Sequence, residues 1–591
     1  MFLRLNKTLT LSMIFLFLAS CASLISYQEF FQVESEQVKD EVQRQASGKT
    51  YMVAAQGKHS AKAAEKIFEL GGNIIDAATA LSFAQSVERP QSTGIGGGGF
   101  MLYLPRGAAM PEVYDFREVA PIKSHKGMYL DEKGEVIPRK SVDGIHAAGV
   151  PGLVAGVLEI HQKYGKLPLQ TVMQPAIELA EEGFPIYEEL ASALVRRGVY
   201  LNSVEASRKI FFKDKDTILK EGDLLQQKDL ARTLRLIATK GKNGFYKGDV
   251  AKKIIAEFKR QGGLLTQADL DQYQVKKRPP LRGTYKGYEI YSMSPPSSGG
   301  IHIIQILNIL EGYDLRALGV HHPKSLHYLA SAMQQAFADR SVHLGDTDFV
   351  TVPLMELTSK SYAEQIRKLI PADYARKASE VLPLNLNDFK DSLPKVVEEP
   401  TETVHFSLAD SEGNVVVSTQ TINGYFGSGV VVPGTGILLN NEMNDFTSKP
   451  NEPNIFGAIS GEKNQIEPKK RPLSSMSPTI VMTAGKPVLA LGSPAGTRIL
   501  TCVAQTILNY IEHGLPLYES ISAVRVHQQW FPDEIRVEAR GLPDQTVVAL
   551  KKMGHNLNFE NFGCRVQAVA FEGDEIIGVS DPRGAGMALG K

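Results

Sequence analysis

Polar and apolar residues alternate with a period of two from Thr403 to Leu408 and again through most of 415–421, and the turn formers Asp410-Ser411-Glu412-Gly413-Asn414 separate the two runs. Paired as a hairpin centred near Glu412, the runs place Thr421 across from Thr403 on one face, with Asn423 two residues further along it. Thr403, His405 and Ser407 then point one way, while Val404, Phe406 and Leu408 point into a core. Nearer the N-terminus the period lengthens. Residues 60–70 read as a helix stopped by Gly71-Gly72, and Asn73 is placed to cap a second helix over 74–87 with Asp76 in its first turn. The middle third is mostly helical, punctuated by Gly and Pro. Helical stretches followed by strand-rich ones predict α and β layers packed on each other rather than a doubly wound parallel sheet. From 383 to 402 the pattern dissolves into Pro, Asn, Asp and Glu, a mobile tail by composition, and order is expected to resume at Thr403.

With 591 residues, 43% of them hydrophobic and 22% charged, the chain can bury a large core. Lys plus Arg total 65, as do Asp plus Glu, so no positive excess argues for nucleic acid, and a small molecule or peptide is the expected substrate. Three cysteines cannot build a disulfide framework. Cys502 and Cys564 lack the spacing of a zinc site and read as buried or inert, and no motif implies a metal or organic cofactor.

Arg4 and Lys7, an apolar run over 9–18 and then Leu18-Ala19-Ser20-Cys21 have the layout of a secretory signal. The last four residues also resemble a bacterial lipobox. On that reading residues 1–20 are removed, Cys21 is lipidated, and 21–50 form an extracytoplasmic tether whose acyl chains hold the protein to a membrane. A plain secretory cut and an uncleaved anchor are the alternatives. Ala22 after the cysteine points, by analogy with bacterial sorting, to the outer membrane and the periplasm.

A threonine hydroxyl is a poor nucleophile without a base beside it, and cleavage between Glu402 and Thr403 would free an α-amine to act as that base. Thr403 is therefore the candidate nucleophile. Neither a Gly-x-Ser-x-Gly elbow nor a His-Glu-x-x-His helix competes with it. The run Gly94-Ile95-Gly96-Gly97-Gly98-Gly99 lacks the Gly-Lys-Ser/Thr ending of a phosphate-binding loop, and is expected to serve close backbone packing or to wall an active site.

Six separated motifs then carry a resemblance: Ser92-Thr93-Gly94-Ile95-Gly96-Gly97-Gly98-Gly99-Phe100, Asp115-Phe116-Arg117-Glu118, Thr403-Val404-His405-Phe406-Ser407, Leu438-Leu439-Asn440-Asn441-Glu442-Met443, Arg471-Pro472-Leu473-Ser474-Ser475-Met476-Ser477-Pro478 and Gly492-Ser493-Pro494-Ala495-Gly496. In this order they resemble the γ-glutamyltransferases, or glutathione hydrolases, of the N-terminal nucleophile superfamily, from about Met52 to the C-terminus. The resemblance implies an α+β fold, a four-layer αββα sandwich formed jointly by two subunits cut from one precursor. A large subunit over 51–402 and a small one over 403–591 would make the heterodimer. It implies that Thr403 attacks the γ-carbonyl of glutathione or another γ-glutamyl compound, and that water or an amino acid or peptide acceptor takes the glutamyl group from the acyl-enzyme.

Residue by residue, Thr421 matches the threonine that positions the nucleophile's amine, and Ala495 and Gly496 match the Gly-Gly pair whose N–H groups receive the oxyanion. Arg117 matches the arginine that grips the substrate's α-carboxylate, with Ser474 and Ser475 adding hydroxyl donors. On the opposite side Asn423, Glu442 and Asp445 match the acceptors for its ammonium. Residues 447–470 match a substrate lid with Phe456 as aromatic gate. Two positions depart from the pattern: Ala495 replaces a glycine, which matters only if its backbone is left-handed, and Val404 stands where many members have threonine. An acylase acting on a glutaryl or cephalosporin-type amide, and an inactive lipoprotein scaffold, are the competing functions.

Overall fold

The computed structural model describes residues 43–386, 403–450 and 452–591. The signal and lipidation reading with Cys21, most of the expected tail and Glu402 lie outside the described residues. Strands from both ends and the middle of the chain pair into one seven-stranded antiparallel sheet, in the order Met587–Gly590, Tyr51–Ala55, Val404–Asp410, Val415–Thr421, Gly98–Leu104, Glu112–Asp115 and Lys276–Arg278. A second antiparallel sheet of seven runs Gln45–Gly48, Glu575–Ser580, Gln567–Glu572, Lys486–Gly492, Thr479–Thr483, Tyr288–Ser292 and Leu281–Tyr285. Phe100, Leu102, Val415 and Val417 from the first sheet join Val481, Leu489, Leu491 and Ala568 from the second in one core.

The hairpin register is the one its period predicts. Val404 lies opposite Gln420 and Ala409 opposite Val415 with no bulge between, which leaves Thr403 beside Thr421. The turn follows from Asp410, whose Oδ1 accepts from the Glu412 and Asn414 N–H groups, and from Gly413, whose φ of 86° suits glycine. The hairpin sits in mid-sheet, so the expected contrast between a polar face and a core face needs correction: His405 and Ser407 are as buried as Phe406. Their face meets the second sheet, where a Cβ on Gly492 would stand 2.3 Å from the His405 ring. Ser407 donates to Gln567 O, so it accepts from His405 Nε2, and His405 Nδ1 accepts from the Thr419 hydroxyl. Burial pushes this imidazole down to about 3. It is a neutral strut between the sheets.

Both early helices form where their caps predict, over Lys58–Glu69 and Ile74–Glu88. Asn73 Oδ1 accepts from the Ile75 and Asp76 N–H groups while Asp76 Oδ2 accepts from Asn73 N–H, a reciprocal cap. The second helix packs on the hairpin's other face, and Gln420 donates to Ser82 Oγ at 2.8 Å. The glycine run serves close packing: a Cβ on Gly97 would fall 2.1 Å from Thr421 O, and one on Gly99 2.5 Å from Thr419 O.

Cys502 and Cys564 are buried as expected but not unpaired; they form a disulfide. The helix Arg498–Ile507 lies against the 561–566 segment, a contact between residues 62 apart that no local spacing could reveal. Closing a loop of that length stabilises the fold by about 2–4 kcal/mol.

Candidate active site

The end of the strand Val415–Thr421 sets the geometry around Thr403. Thr421 Oγ1 accepts from Asn423 N–H at 2.8 Å and lies 3.2 Å from Thr403 Oγ1, so its own O–H can point at the nucleophile. Asn423 leaves the strand at a φ of 78°, which asparagine tolerates better than most residues. One cavity collects Thr403, Thr421, Asn423 and Gly496 with Arg117, Glu442 and Asp445, and Ser474, Ser475 and Phe456 complete its wall. Two roomier surface clefts, of about 870 and 750 Å³, hold none of the candidate residues. Val404 is fully buried on the face opposite Thr403, so the hydroxyl it lacks would not have reached this cavity.

Pro494-Ala495-Gly496 turns the end of the strand Lys486–Gly492 into the helix Arg498–Ile507. Ala495 and Gly496 have φ of 112° and 55°, and neither N–H has an acceptor among the described residues. Successive N–H groups held this way at a helix start form an anion-binding concavity. Ala495 is thus in the positive-φ region after all, at a cost of about 1–2 kcal/mol for an L residue. Ala495→Gly should therefore raise unfolding free energy by about 1 kcal/mol, after subtracting the entropy of a glycine. Turnover should stay within about twofold; denaturant unfolding beside a kcat measurement checks both.

Arg117 follows the strand Glu112–Asp115, and its N–H donates to Asp115 Oδ1. The guanidinium is fully buried: Nη1 donates to Glu442, Nη2 to Asp445 Oδ2 at 2.5 Å and Nε to Pro472 O at 3.2 Å. The turn Glu442–Asp445 is held there by Asn440, which accepts from the Glu442 and Gly149 N–H groups and donates to Gly96 O and Gly149 O. The arginine and the two carboxylates, expected on opposite sides of a ligand, are therefore in direct contact. Buried charges pair with each other when no ligand separates them. Burial draws the Arg117 proton affinity down, but Glu442, Asp445 and Glu118 raise it further. Burial likewise raises Asp445 and pushes Glu442 up to about 7 against the pull of Arg117.

From the expected lid, Asn454 and Phe456 line the cavity. Asn454 shapes that segment by accepting from the Phe456 and Ala458 N–H groups, and Asn454 Nδ2 donates to Asp445 Oδ1 at 3.1 Å. Phe456 packs with Val142 and Ile455. Arg340, from the helix Pro323–His343, was not anticipated: it lines the cavity, fully buried, and its Nη1 donates to Ser460 Oγ and Ile459 O. Burial lowers it to about 10, with Asp445 pulling the other way. No local motif marks it, and its one trace in the sequence is a charged pair, Asp339-Arg340, set among small and apolar helix residues. Among the described residues no three His, Cys, Asp or Glu side chains converge as a metal site requires.

The family model Gamma-glutamyltranspeptidase matches residues 60–591. Over 548 residues the chain is 42% identical to the glutathione hydrolase proenzyme of Escherichia coli (strain K12), covering 92% of each sequence. Among solved structures, the cephalosporin acylase from Bacillus halodurans superposes with a TM-score of 0.80 at 27% identity, over 93% of this chain and 97% of that one. The Helicobacter pylori gamma-glutamyltranspeptidase reaches 0.54 at 45% identity, over 56% of this chain and 96% of that one.

Proposed function

The chain belongs to the γ-glutamyltranspeptidase family, and from that premise we propose that it is a glutathione hydrolase proenzyme whose nucleophile is Thr403. The observation that carries the reading is the cavity itself: two threonine hydroxyls 3.2 Å apart face an arginine and two carboxylates, the complement of a head group with one carboxylate and one ammonium.

Maturation and turnover use the same hydroxyl. In the precursor, Thr403 Oγ1 attacks the carbonyl carbon of Glu402, the acyl group moves from nitrogen to oxygen, and water cleaves the ester. The products are a carboxylate on Glu402 and a free amine on Thr403, which separate a large subunit, 51–402, from a small one, 403–591. The amine, with an intrinsic pKa of about 7.7–8.0, then takes the Oγ1 proton as that oxygen attacks the γ-carbonyl of the donor. Thr421 orients the pair. The oxyanion faces the Ala495 and Gly496 N–H groups, where one donor is typically worth about 3 kcal/mol of barrier. Breakdown sends the proton to the departing amine, and water or an acceptor amine releases glutamate or the transfer product.

Recognition exchanges partners without changing charge. The donor's α-carboxylate takes the Arg117 fork with Ser474 and Ser475, while its ammonium replaces the guanidinium beside Glu442, Asp445 and Asn423. The expected lid, through Asn454 and Phe456, excludes water from the head group. The two sheets, with helices Lys58–Glu69 and Ile74–Glu88 against one and Gly299–Leu310 against the other, read as the four-layer αββα sandwich. A disulfide between Cys502 and Cys564 suits an oxidising compartment, in keeping with an extracytoplasmic protein held by lipid at Cys21 to the outer membrane.

The acylase reading keeps a claim through the full-length superposition on a cephalosporin acylase. A glutaryl amide has no ammonium, so Glu442 and Asp445 would be left without a cation. The chain is expected to release the aniline from a γ-glutamyl anilide about 10²-fold faster than from a glutaryl anilide. The reverse ratio would make it an acylase, and an uncut, inactive protein would support the scaffold.

A further inference from the structure

Glu118, next to Arg117, is fully buried, and neither of its carboxyl oxygens receives a hydrogen bond from an N–H of another described residue. It fills a slot cut by two glycines: a Cβ on Gly98 would stand 2.5 Å from Glu118 Oε2, and one on Gly149 3.2 Å from Glu118 Cβ. Within hydrogen-bonding reach lies the carboxyl of Glu442, whose Oε1 is on Arg117 and whose Oε2 also lacks a donor. Glu118 behind the cavity wall, with Glu442 and Asp445 in it, thus sets three carboxyls against two guanidiniums, Arg117 and Arg340. Tyr246 and Tyr273 also face Glu118, and burial raises both phenols, so they are neutral. A buried cluster with one anion in excess keeps a proton, and two touching carboxyls share it.

We propose that Glu118 carries this proton and donates it to Glu442 Oε2, acting as a neutral acid that aims Glu442 at the substrate's ammonium. Glu118 is a positioning residue for the reaction, and that role rests on the assignment of Glu442 to the ammonium. Burial and the neighbouring Glu442 push the Glu118 carboxyl well above the usual range, outweighing Arg117. The slot explains the glycine at 98, since a Cβ there would stand against the carboxyl itself.

The sign of the pH effect follows. A carboxyl raised above its unfolded value of about 4.3 lends its full stabilisation below that pH and loses it as pH rises toward the folded value, about tenfold in the folding equilibrium per pH unit. Glu118→Gln keeps a donor to Glu442 and cannot titrate. Its folding equilibrium relative to wild type is expected to improve by up to about tenfold per unit as pH rises above about 5, until the wild-type Glu118 itself ionises, with KM for a γ-glutamyl donor within about threefold. Glu118→Leu, without a donor, should raise KM about tenfold or more. A Glu118→Gln protein that is less stable by a constant factor at every pH, or that does not accumulate, overturns the proposal, because an amide meets every contact of a neutral acid. An unchanged KM in Glu118→Leu removes the aiming role. The stability readout uses no substrate, so it stands or falls apart from the ammonium assignment.

Discussion

Replacing Thr403 by alanine leaves one uncut chain and lowers γ-glutamyl anilide turnover by about 10⁴-fold or more. The loss is this large because a single oxygen atom serves both steps: without Oγ1 the bond to Glu402 is not attacked, so the α-amine is never freed, and no acyl-enzyme can form. Misfolding does not account for it. Thr403 is buried at the start of a central strand whose six hairpin pairs lie beyond it, and the side chain's one described hydroxyl contact is with Thr421 at 3.2 Å, worth about 1 kcal/mol. Intact mass under denaturing conditions reads the first effect directly, as two fragments meeting at Glu402/Thr403 in the wild type and one species in the variant. Thr403→Ser, which keeps the oxygen, should still cut and turn over, more slowly. A fully active Thr403→Ala protein would end the mechanism, and a wild type that stays uncut would turn attention to the scaffold reading.

What could be read without the structure divides along physical lines. Local rules placed the hairpin register and the cap at Asn73, because turn chemistry and side-chain period act over a few residues. The resemblance of spaced motifs supplied the residues that now share one cavity. Long-range facts were hidden. The Cys502–Cys564 bridge joins residues 62 apart, the burial of His405 depends on a second sheet built largely from other parts of the chain, and Arg340 arrives from a helix with no motif. The backbone of Ala495 was the one local point that residue type concealed, since alanine ordinarily avoids a φ of 112°. Glu118 was visible in its motif but silent there, because its meaning lies in what it touches: a second carboxyl and no N–H from another described residue.

Arg117→Lys is expected to mature normally and to lose about 10²–10³-fold in kcat/KM, mainly through KM. The guanidinium reaches Glu442, Asp445 and Pro472 O at once from a fully buried position. One ammonium on a flexible stem cannot hold two carboxylates at separate nitrogens, so one of them loses its partner in a cluster that already has more carboxyls than cations. That carboxyl then keeps a proton, and a neutral acid no longer attracts the substrate's ammonium. The substrate's own carboxylate meets a point charge instead of a fork. The two losses fall on the same binding step and together come to about 3–4 kcal/mol. Cutting is spared because Thr403, Thr421 and the Ala495-Gly496 turn make no described hydrogen bond with Arg117. Intact mass and a steady-state titration of one sample therefore separate the roles: cut protein with a raised KM assigns Arg117 to the substrate, whereas an uncut chain would assign it to folding the precursor.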